Sequence, residues 1–594
     1  MKAKKQQTKK AGHSPAAARA GPAVAEKPRA RYWPYLLGFA VALAAAFEVY
    51  SPSLYGPFLF DDQYLPFNML GFPVDSLRAW LLGVRPFLMF SYWVNYQLSG
   101  LQPYSYHAFN VAFHVMNAAL VFLALRKILE FSQVERARRE ILAAFAGALF
   151  LLHPVNSESV GYVASRSENL SVLFFFGAFT VFLYRPKPEI TWIRSAVVLL
   201  LFVAAALTKE HTIALPALLL LTDYFWNPPF SPAGIRRNWR LYGPVIAGGV
   251  VVGGYLVHLL RGAPSAGFSV KDLTWYQYFF TQCRALWVYV RLFLFPSGLD
   301  IDWEFPISRT ILDHGAVIGL AAILLAAGAA FRLRRRYPLA AYGFFAFLIL
   351  MAPTSSFVPI KDPVAERRLY LSMIGLLCIL LEFLRHVDVK QTKWAAAMAG
   401  VLLVAGAVTH NRNAVWSDPV VLWEDTVAKS PHSSRDQFQL AEAYRERGDC
   451  AKALDHYARS AQIESSGKRS YWLDTLFIDW GLAYDCLNQP EEAVAKFREA
   501  VNVKPTAHAY SQIGMIYGKQ GRNQEALAVL ETAKKLDPNF YATYRYLGGV
   551  HLSLGDAAAA VDDLRRAAAL NPNDEAVGKL LAIAEAQAQH KAGS

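Results

Sequence analysis

Cysteine is scarce in this chain, with four in 594 residues. Cys283, Cys378, Cys450 and Cys486 show neither metal-ligand spacing nor the density of a disulfide scaffold, which excludes small stapled or zinc-held folds. Cys283 and Cys378 lie in apolar segments and read as core. Whether Cys450 and Cys486 pair is left open by their spacing. Charge is also thin: 18% of residues are charged and 54% hydrophobic, against about 25% charged in soluble domains. The chain carries no nucleotide-sugar motif. It shows no inverted-repeat symmetry with matching broken helices, which argues against a transporter.

What charge there is leans basic, with a net value of +14. It sits in the Lys-, Ala- and Pro-rich tail Met1–Arg31, which reads as disordered, and in short clusters beside apolar runs, such as Arg332–Arg336. No single folded face gathers it. That argues against nucleic acid as a partner and fits the excess of Lys and Arg on the cytoplasmic side of membrane proteins.

A membrane-crossing helix needs about 20 mostly apolar residues. Twelve runs qualify as candidates, several of them short: 33–50, 106–126, 141–153, 169–184, 193–208, 211–226, 241–260, 275–296, 312–331, 338–353, 368–385 and 394–409. The first reads as a retained span, because no small-residue cleavage site followed by a mature soluble domain comes after it. With the tail in the cytoplasm, Arg126–Glu140, Arg185–Arg194 and Arg236, Arg237 and Arg240 fall inside. If 275–296 crossed, Arg332–Arg336 would fall outside. That segment is rich in Trp, Tyr and Phe and carries Gln282, Arg284 and Arg291, which suits a helix lying in the interface. The expectation is therefore eleven spans, with everything after residue 410 on the outer side.

From Trp416 onward the sequence repeats itself at about 34 residues. Tyr544, Leu547, Gly548, His551, Gly555, Ala560, Leu564, Ala567 and Pro572 echo Tyr510, Ile513, Gly514, Tyr517, Gly521, Ala526, Leu530, Ala533 and Pro538. A unit before these holds Trp480, Gly481, Tyr484, Ala493, Phe497, Ala500 and Pro505, and a looser one holds Leu440, Ala441, Tyr444, Gly448, Ala453 and Tyr457. Small residues let paired helices cross closely, and glycine ends the first helix of each pair. The pattern resembles the tetratricopeptide repeat, which implies a solenoid with a concave face for peptide or protein; a rigid spacer or dimerisation element is the plainer alternative.

Ionisable groups at the edge of apolar spans are costly and so point to function. Here they gather on the expected outer side. Phe60-Asp61-Asp62-Gln63 places two carboxylates right after the first span, fit for a general base, a divalent-metal ligand or both. Arg85-Pro86 follows, and then His107, Asn110 and His114 share one helical face. Next come His153-Pro154-Val155-Asn156-Ser157-Glu158, Ser165-Arg166-Ser167-Glu168, Lys209-Glu210-His211 and Glu366-Arg367-Arg368-Leu369-Tyr370. Singly, each reads as an interhelical hydrogen bond or a headgroup anchor.

Taken in order, these motifs resemble those of the GT-C superfamily of integral membrane glycosyltransferases, and most of all the O-mannosyltransferases that join many spans to tetratricopeptide repeats. The likeness runs from about residue 33 to 572 and looks like that of a bacterial relative. It implies an all-α chain: a disordered basic cytoplasmic tail at 1–32, a GT-C-like multi-span domain at 33–410 and a repeat solenoid at 411–590. It also implies a polyprenyl-phosphate sugar donor, mannose among the candidate sugars, and inversion at the anomeric carbon on the outer face. In that reading Asp61 or Asp62 takes the acceptor's proton. Arg367, Arg368, Lys209 and Arg85 meet the lipid phosphate, since guanidinium matches phosphate oxygens bidentately. Glu210 orients Lys209, and His107, His153, Glu158, Arg166, Glu168, Glu366 and Tyr370 support the site. No cofactor is required, although the Asp pair is able to hold a divalent metal. Partners are then membrane lipid and an exported polypeptide held by the repeats. The rival readings are a non-catalytic envelope scaffold and a transferase of the same fold acting on a lipid or glycan.

Overall fold

The computed structural model describes residues 32–593 apart from 70, 84, 261–266, 268–269, 271–272, 388–390 and 466–471. The basic tail Met1–Arg31 lies outside the described residues. All regular elements among those described are helical. The chain divides into two units, residues 1–41 and Ala42–Ser594. The described part of the first is the opening of helix α1 (Trp33–Val49), where Trp33, Leu36, Leu37 and Phe39 are exposed.

Each of the twelve apolar runs forms a helix, and the stretch between the first two adds a short helix at Leu77–Leu81 and a longer one at Pro86–Ser99. After α1 come α2 (Pro86–Ser99), α3 (Pro103–Phe131), α4 (Arg136–Leu152), α5 (Arg166–Leu183), α6 (Trp192–Ala206), α7 (Leu215–Trp226) and α8 (Trp239–Leu260). They are followed by α9 (Trp275–Leu294), α10 (Ala316–Leu333), α11 (Pro338–Met351), α12 (Leu369–Leu384) and α13 (Gln391–Ala414). By length and composition three stretches are long and apolar enough to cross a bilayer: Pro103–Phe131, Asp313–Leu333 and Thr392–Ser417. A fourth arises if Arg136–Leu152 and Pro154–Gly161, bent by 48° at their break, count as one. Trp33–Val49, Trp192–Ala206 and Pro338–Met351 are apolar but shorter. The protein is thus a helical membrane protein, while length and composition do not reach eleven spans.

Polar contacts sort the loops into two groups. One end of the bundle ties basic segments together: Arg126 to Glu140, Arg185 to Asp223, and Arg385 to the Ser132 carbonyl. The other end joins the loops around Asp62, Glu158, Glu210 and Arg367, described below. Helix α9 lies along this second end. Its Tyr278 hydroxyl donates to the Thr354 carbonyl, Gln282 to the Pro363 carbonyl, and its Tyr289 hydroxyl accepts the Ala365 N–H. Near its C-terminus, the Phe293 carbonyl lies 2.9 Å from His153 Nε2. The anchors at Tyr278, Gln282, Tyr289 and Phe293 all reach loops of that one end.

Helices α11 and α12 cross at paired glycines. A Cβ on Gly375 would lie 2.6 Å from the Gly343 carbonyl oxygen, and one on Gly343 would strike the Gly375 carbonyl. Small residues at such a crossing let two backbones approach where bilayer lipid offers no hydrophobic drive for association. Gly343→Val is expected to cost about 1–3 kcal/mol through overpacking, read as a lowered midpoint of thermal unfolding in detergent.

From Pro419 the chain forms helix pairs: α14 (Pro419–Lys429), α15 (Ser434–Glu446), α16 (Cys450–Ser465), α17 (Leu473–Cys486), α18 (Pro490–Val503), α19 (Ala507–Lys519), α20 (Asn523–Leu536), α21 (Tyr541–Ser553), α22 (Ala557–Leu570) and α23 (Glu575–Gly593). The repeat glycines do what their spacing predicts: a Cβ on Gly481, Gly514 or Gly548 would run into Phe497, Leu530 or Leu564 of the paired helix. Gly448, Gly521 and Gly555 turn the chain at positive φ. Asn488 takes that place, at φ 56, in the unit that lacks the glycine.

Cys450 and Cys486 form a disulfide between α16 and α17, which answers the pairing question, and Cys283 and Cys378 are free and buried. Protein unfolded without reductant is therefore expected to offer two titratable thiols, and four after reduction.

Candidate active site

The site begins in the 3-10 turn Phe60–Tyr64. Asp62 is buried, and its two oxygens accept backbone N–H groups from Leu59 (3.0 Å) and Ala164 (2.6 Å). Burial pushes its carboxyl up to about 8, against the lowering effect of those two bonds. Asp61 is the reverse: exposed, with no partner for its carboxylate among the described residues. Its backbone N–H donates to the Tyr162 hydroxyl at 2.6 Å. Both aspartates and Arg367 act electrostatically on that buried hydroxyl.

Three cations, each held by its own carboxylate, act on one another, and one of them, Arg367, also acts on the Tyr162 hydroxyl that the loop contacts. Arg367, in the turn that opens α12, forms an ion pair with the buried Glu158, which also accepts the Arg367 N–H at 2.9 Å. Lys209 reaches Glu168 at 2.5 Å and Ser167 at 3.2 Å. Arg85 forms a bidentate pair with Glu210 at 3.0 and 2.9 Å. His211 lies 3.3 Å from Glu168. Burial lowers the Lys209 ammonium, Glu168 pulls the other way, and Arg85 and Arg367 push it down further. Burial alone would raise Glu210, but Arg85 outweighs it and holds that carboxyl below its ordinary value. Arg367 is raised despite burial because Glu158 sits against it.

Two expectations change here. Glu210 does not orient Lys209; it pairs with Arg85, and Glu168 takes Lys209. The reason is local: Lys209 is extended at φ −157 before the turn Glu210–Ala214, so adjacent side chains face different neighbours. Arg368 does not join Arg367 either. Its guanidinium is spent on the carbonyls of Pro363 and Asp362 and on the Tyr278 hydroxyl, where it braces the loop against α9.

The remaining sequence candidates hold the frame. His107 meets the Gly56 carbonyl at 3.1 Å and His153 the Phe293 carbonyl. Tyr370 contacts His114 at 2.8 Å and Asn117 at 3.1 Å. Glu366 accepts the Asp300 N–H at 2.5 Å, and burial pushes its carboxyl up to about 8. Arg166 is fully buried. It donates to Asn110 (2.9 Å), Asn95 (2.5 Å) and the carbonyls of Tyr106 (2.8 Å) and Ser91 (3.2 Å), with its guanidinium 4.4 Å from the Tyr92 ring centre. Among the described residues no three His, Cys, Asp or Glu side chains gather as a metal site would need. Asp61 and Asp62 diverge, one toward solvent and one onto backbone.

The start of the repeats belongs to this site, which sequence reasoning missed. Trp416 is fully buried and stacks on Tyr162 at 5.7 Å, and Trp423 meets Phe60 edge-on at 5.6 Å. Leu59, Tyr162, Ile301, Trp416, Val420, Trp423 and Leu440 form one apolar cluster. Around it Arg435 forks onto Asp302, with both contacts at 2.5 Å, and reaches Asp362 at 2.9 Å. Lys429 donates to the Leu299 carbonyl and Ser430 to Asp300. Tyr162 lies midway between two of the quoted motifs, but neither its spacing nor its type set it apart in the sequence.

The cage around Arg166 supplies a check on this frame. Arg166→Lys keeps the charge but lacks the planar fork that serves four acceptors, so it is expected to lose about 3 kcal/mol or more and to lower the yield of folded protein.

Tetratricopeptide-repeat family models match residues 436–506, 478–539 and 511–575. Protein O-mannosyl-transferase TMTC3 of Mus musculus is 23% identical over 84% of this chain and 58% of its own length. Protein O-mannosyl-transferase TMTC1 of Homo sapiens is 24% identical over 72% and 55%, and protein O-mannosyl-transferase F38B6.6 of Caenorhabditis elegans is 24% identical over 64% and 54%. The chain spans little more than half the length of the curated relatives it matches. The chain is a helical membrane protein ending in tetratricopeptide repeats, with homologues among the animal protein O-mannosyl-transferases.

Proposed function

We propose that this protein is an inverting glycosyltransferase that moves a sugar, mannose by the names of its relatives, from a polyprenyl-phosphate donor to a Ser or Thr hydroxyl of an exported polypeptide. The observation that carries this reading is the placement of an open carboxylate, Asp61, beside three paired cations, Arg367, Lys209 and Arg85, at one end of the helical bundle. Asp61 accepts the hydroxyl proton as the acceptor oxygen forms its bond to the anomeric carbon. The bond from that carbon to the phosphate oxygen breaks, and its electron pair leaves with the lipid phosphate. The cations stabilise the charge that develops on the phosphate. Because their carboxylate partners already hold them in position, they need little reorganisation at that moment. Asp62 holds the loop rather than the proton, since both of its oxygens are engaged by backbone.

The reaction face is assigned to the outer side, the periplasm of a bacterial inner membrane, with eleven spans and α9 in the interface. Basic segments gather at the opposite end of the bundle, in keeping with a cytoplasmic location. The Cys450–Cys486 disulfide suits an oxidising compartment for the repeats. The repeats then select and deliver the polypeptide, and their docking against Tyr162 and Phe60 places them next to Asp61.

The test is a transfer assay on purified protein with synthetic polyprenyl-phosphate mannose and peptide acceptors. Asp61→Asn is expected to lower turnover by about 100-fold or more, the usual weight of a general base. Turnover equal to wild type would remove Asp61 from the chemistry, and no transfer from any donor would favour the scaffold. Cutting at Trp416 would strip the cluster around Tyr162. A truncation after Lys504 keeps both the docking surface and the disulfide; it should retain transfer to a short peptide and lose kcat/KM for a full-length polypeptide. Equal loss or equal retention on both acceptors would point to a lipid or glycan acceptor instead.

A further inference from the structure

Phe60, the residue before Asp61, has φ 47. That is the left-handed region, where a bulky aromatic residue is an outlier and persists only if its surroundings hold it there. Three contacts do so. The Asp62 carboxylate accepts the N–H groups of Leu59 and Ala164. The Asp61 N–H donates to the Tyr162 hydroxyl at 2.6 Å, and the Tyr162 ring stacks on Trp416 with 22° between the planes. The Phe60 ring itself meets Trp423 of α14 edge-on. Packing at this seam is tight. A Cβ on Gly56 would lie 2.6 Å from the Trp416 carbonyl oxygen, and one on Gly161 would lie 2.9 Å from Asn413 Oδ1 and 3.5 Å from the Trp416 indole. The Ser53 hydroxyl donates to the same Asn413 oxygen at 3.3 Å. Helix α14 is fixed at both ends: Asp418 caps the N–H groups of Val420 and Val421, and Lys429 donates to the Leu299 carbonyl.

We infer that the entry into the repeats, from Trp416 through α14, is a clamp that keeps the turn at Phe60 in its strained form, with Tyr162 and Trp423 as positioning residues for Asp61. The inference rests on Asp61 being the base proposed above. Neither positioning residue touches the reacting atoms: Tyr162 lends its hydroxyl oxygen to the Asp61 backbone, and Trp423 lends its ring to Phe60. What they fix is the direction of an exposed carboxylate whose own side chain has no partner among the described residues. Released from the clamp, Phe60 relaxes to an ordinary backbone region and turns Asp61 away from the acceptor hydroxyl. A displacement of about 1 Å at a reacting group can cost about 100-fold in rate. This gives the start of the repeats a role separate from holding a polypeptide. It acts on every acceptor, short peptides included, and so belongs to kcat rather than to KM.

The experiment uses the full chain in nanodiscs. Hydrogen exchange over residues 58–64 is followed by mass spectrometry, and turnover is followed with polyprenyl-phosphate mannose and a short peptide acceptor. Tyr162→Phe keeps the ring on Trp416 and removes only the oxygen that accepts the Asp61 N–H. Trp423→Leu keeps the apolar cluster filled and removes the ring that meets Phe60. Each is expected to speed exchange in 58–64 about tenfold and to lower kcat about tenfold, with KM for donor and peptide unchanged. Asparagine enters the left-handed region far more readily than phenylalanine. Adding Phe60→Asn to Trp423→Leu is therefore expected to slow exchange again and to recover kcat about threefold. A merely structural role predicts the reverse, since a second substitution in the cluster adds to the damage of the first. Unchanged exchange in both single variants, or a double variant no slower than Trp423→Leu, would overturn the inference. If Trp423→Leu does not fold, Tyr162→Phe decides alone by the same exchange measurement. Faster exchange with kcat at the wild-type value keeps the clamp and removes Asp61 from the chemistry. Unchanged exchange, with turnover still lost in Asp61→Asn, removes the clamp and leaves the base standing.

Discussion

The carboxylate of Asp62 holds together two stretches of backbone that lie 105 residues apart in sequence, taking one N–H from Leu59 and one from Ala164. Much of the site follows from that contact. It seats the first loop on the segment 153–168, and so places Asp61 over Tyr162. The same segment supplies Glu158 and Glu168, and through them Arg367 and Lys209. Apart from the exposed Asp61, each ion named here is buried or half-buried at the edge of an apolar bundle, where an unpaired charge costs far more than it would in water. Pairing is therefore obligatory, and the pairs determine where the loops can lie.

Arg166 shows the other way to satisfy this constraint. Its guanidinium is surrounded by neutral acceptors from α2 and α3 and, among the described residues, has no carboxylate partner within hydrogen-bonding range. It serves as a framework cation joining three helices. Arg367 is a cation at the mouth of a site. The two look alike in sequence, as arginines in short polar motifs. They differ only in what surrounds them, and a spacing pattern does not record that.

The repeats and the helical bundle share one apolar cluster and a set of ion pairs at their junction. Trp416 and Trp423 are as much part of the candidate site's support as the loop they pack on. Arg435, in the second helix of the repeats, bridges Asp302 and Asp362 from two different loops.

By itself the sequence determined the elements. Twelve apolar runs became twelve helices, and a period near 34 residues became helix pairs, because burial against lipid or a partner helix leaves a one-dimensional trace in hydropathy and in glycine placement. It also marked most of the charged motifs, since charge beside an apolar run is costly wherever the chain folds. Only the tertiary structure decided which charge faces which. It gave Glu210 to Arg85 and Glu168 to Lys209, turned Arg368 onto carbonyls, buried Asp62 while leaving Asp61 open, paired Cys450 with Cys486, and set Trp416 on Tyr162. Pairing energies depend on distance and burial in space. Residues adjacent in sequence can point apart, and residues 254 apart, like Tyr162 and Trp416, can stack.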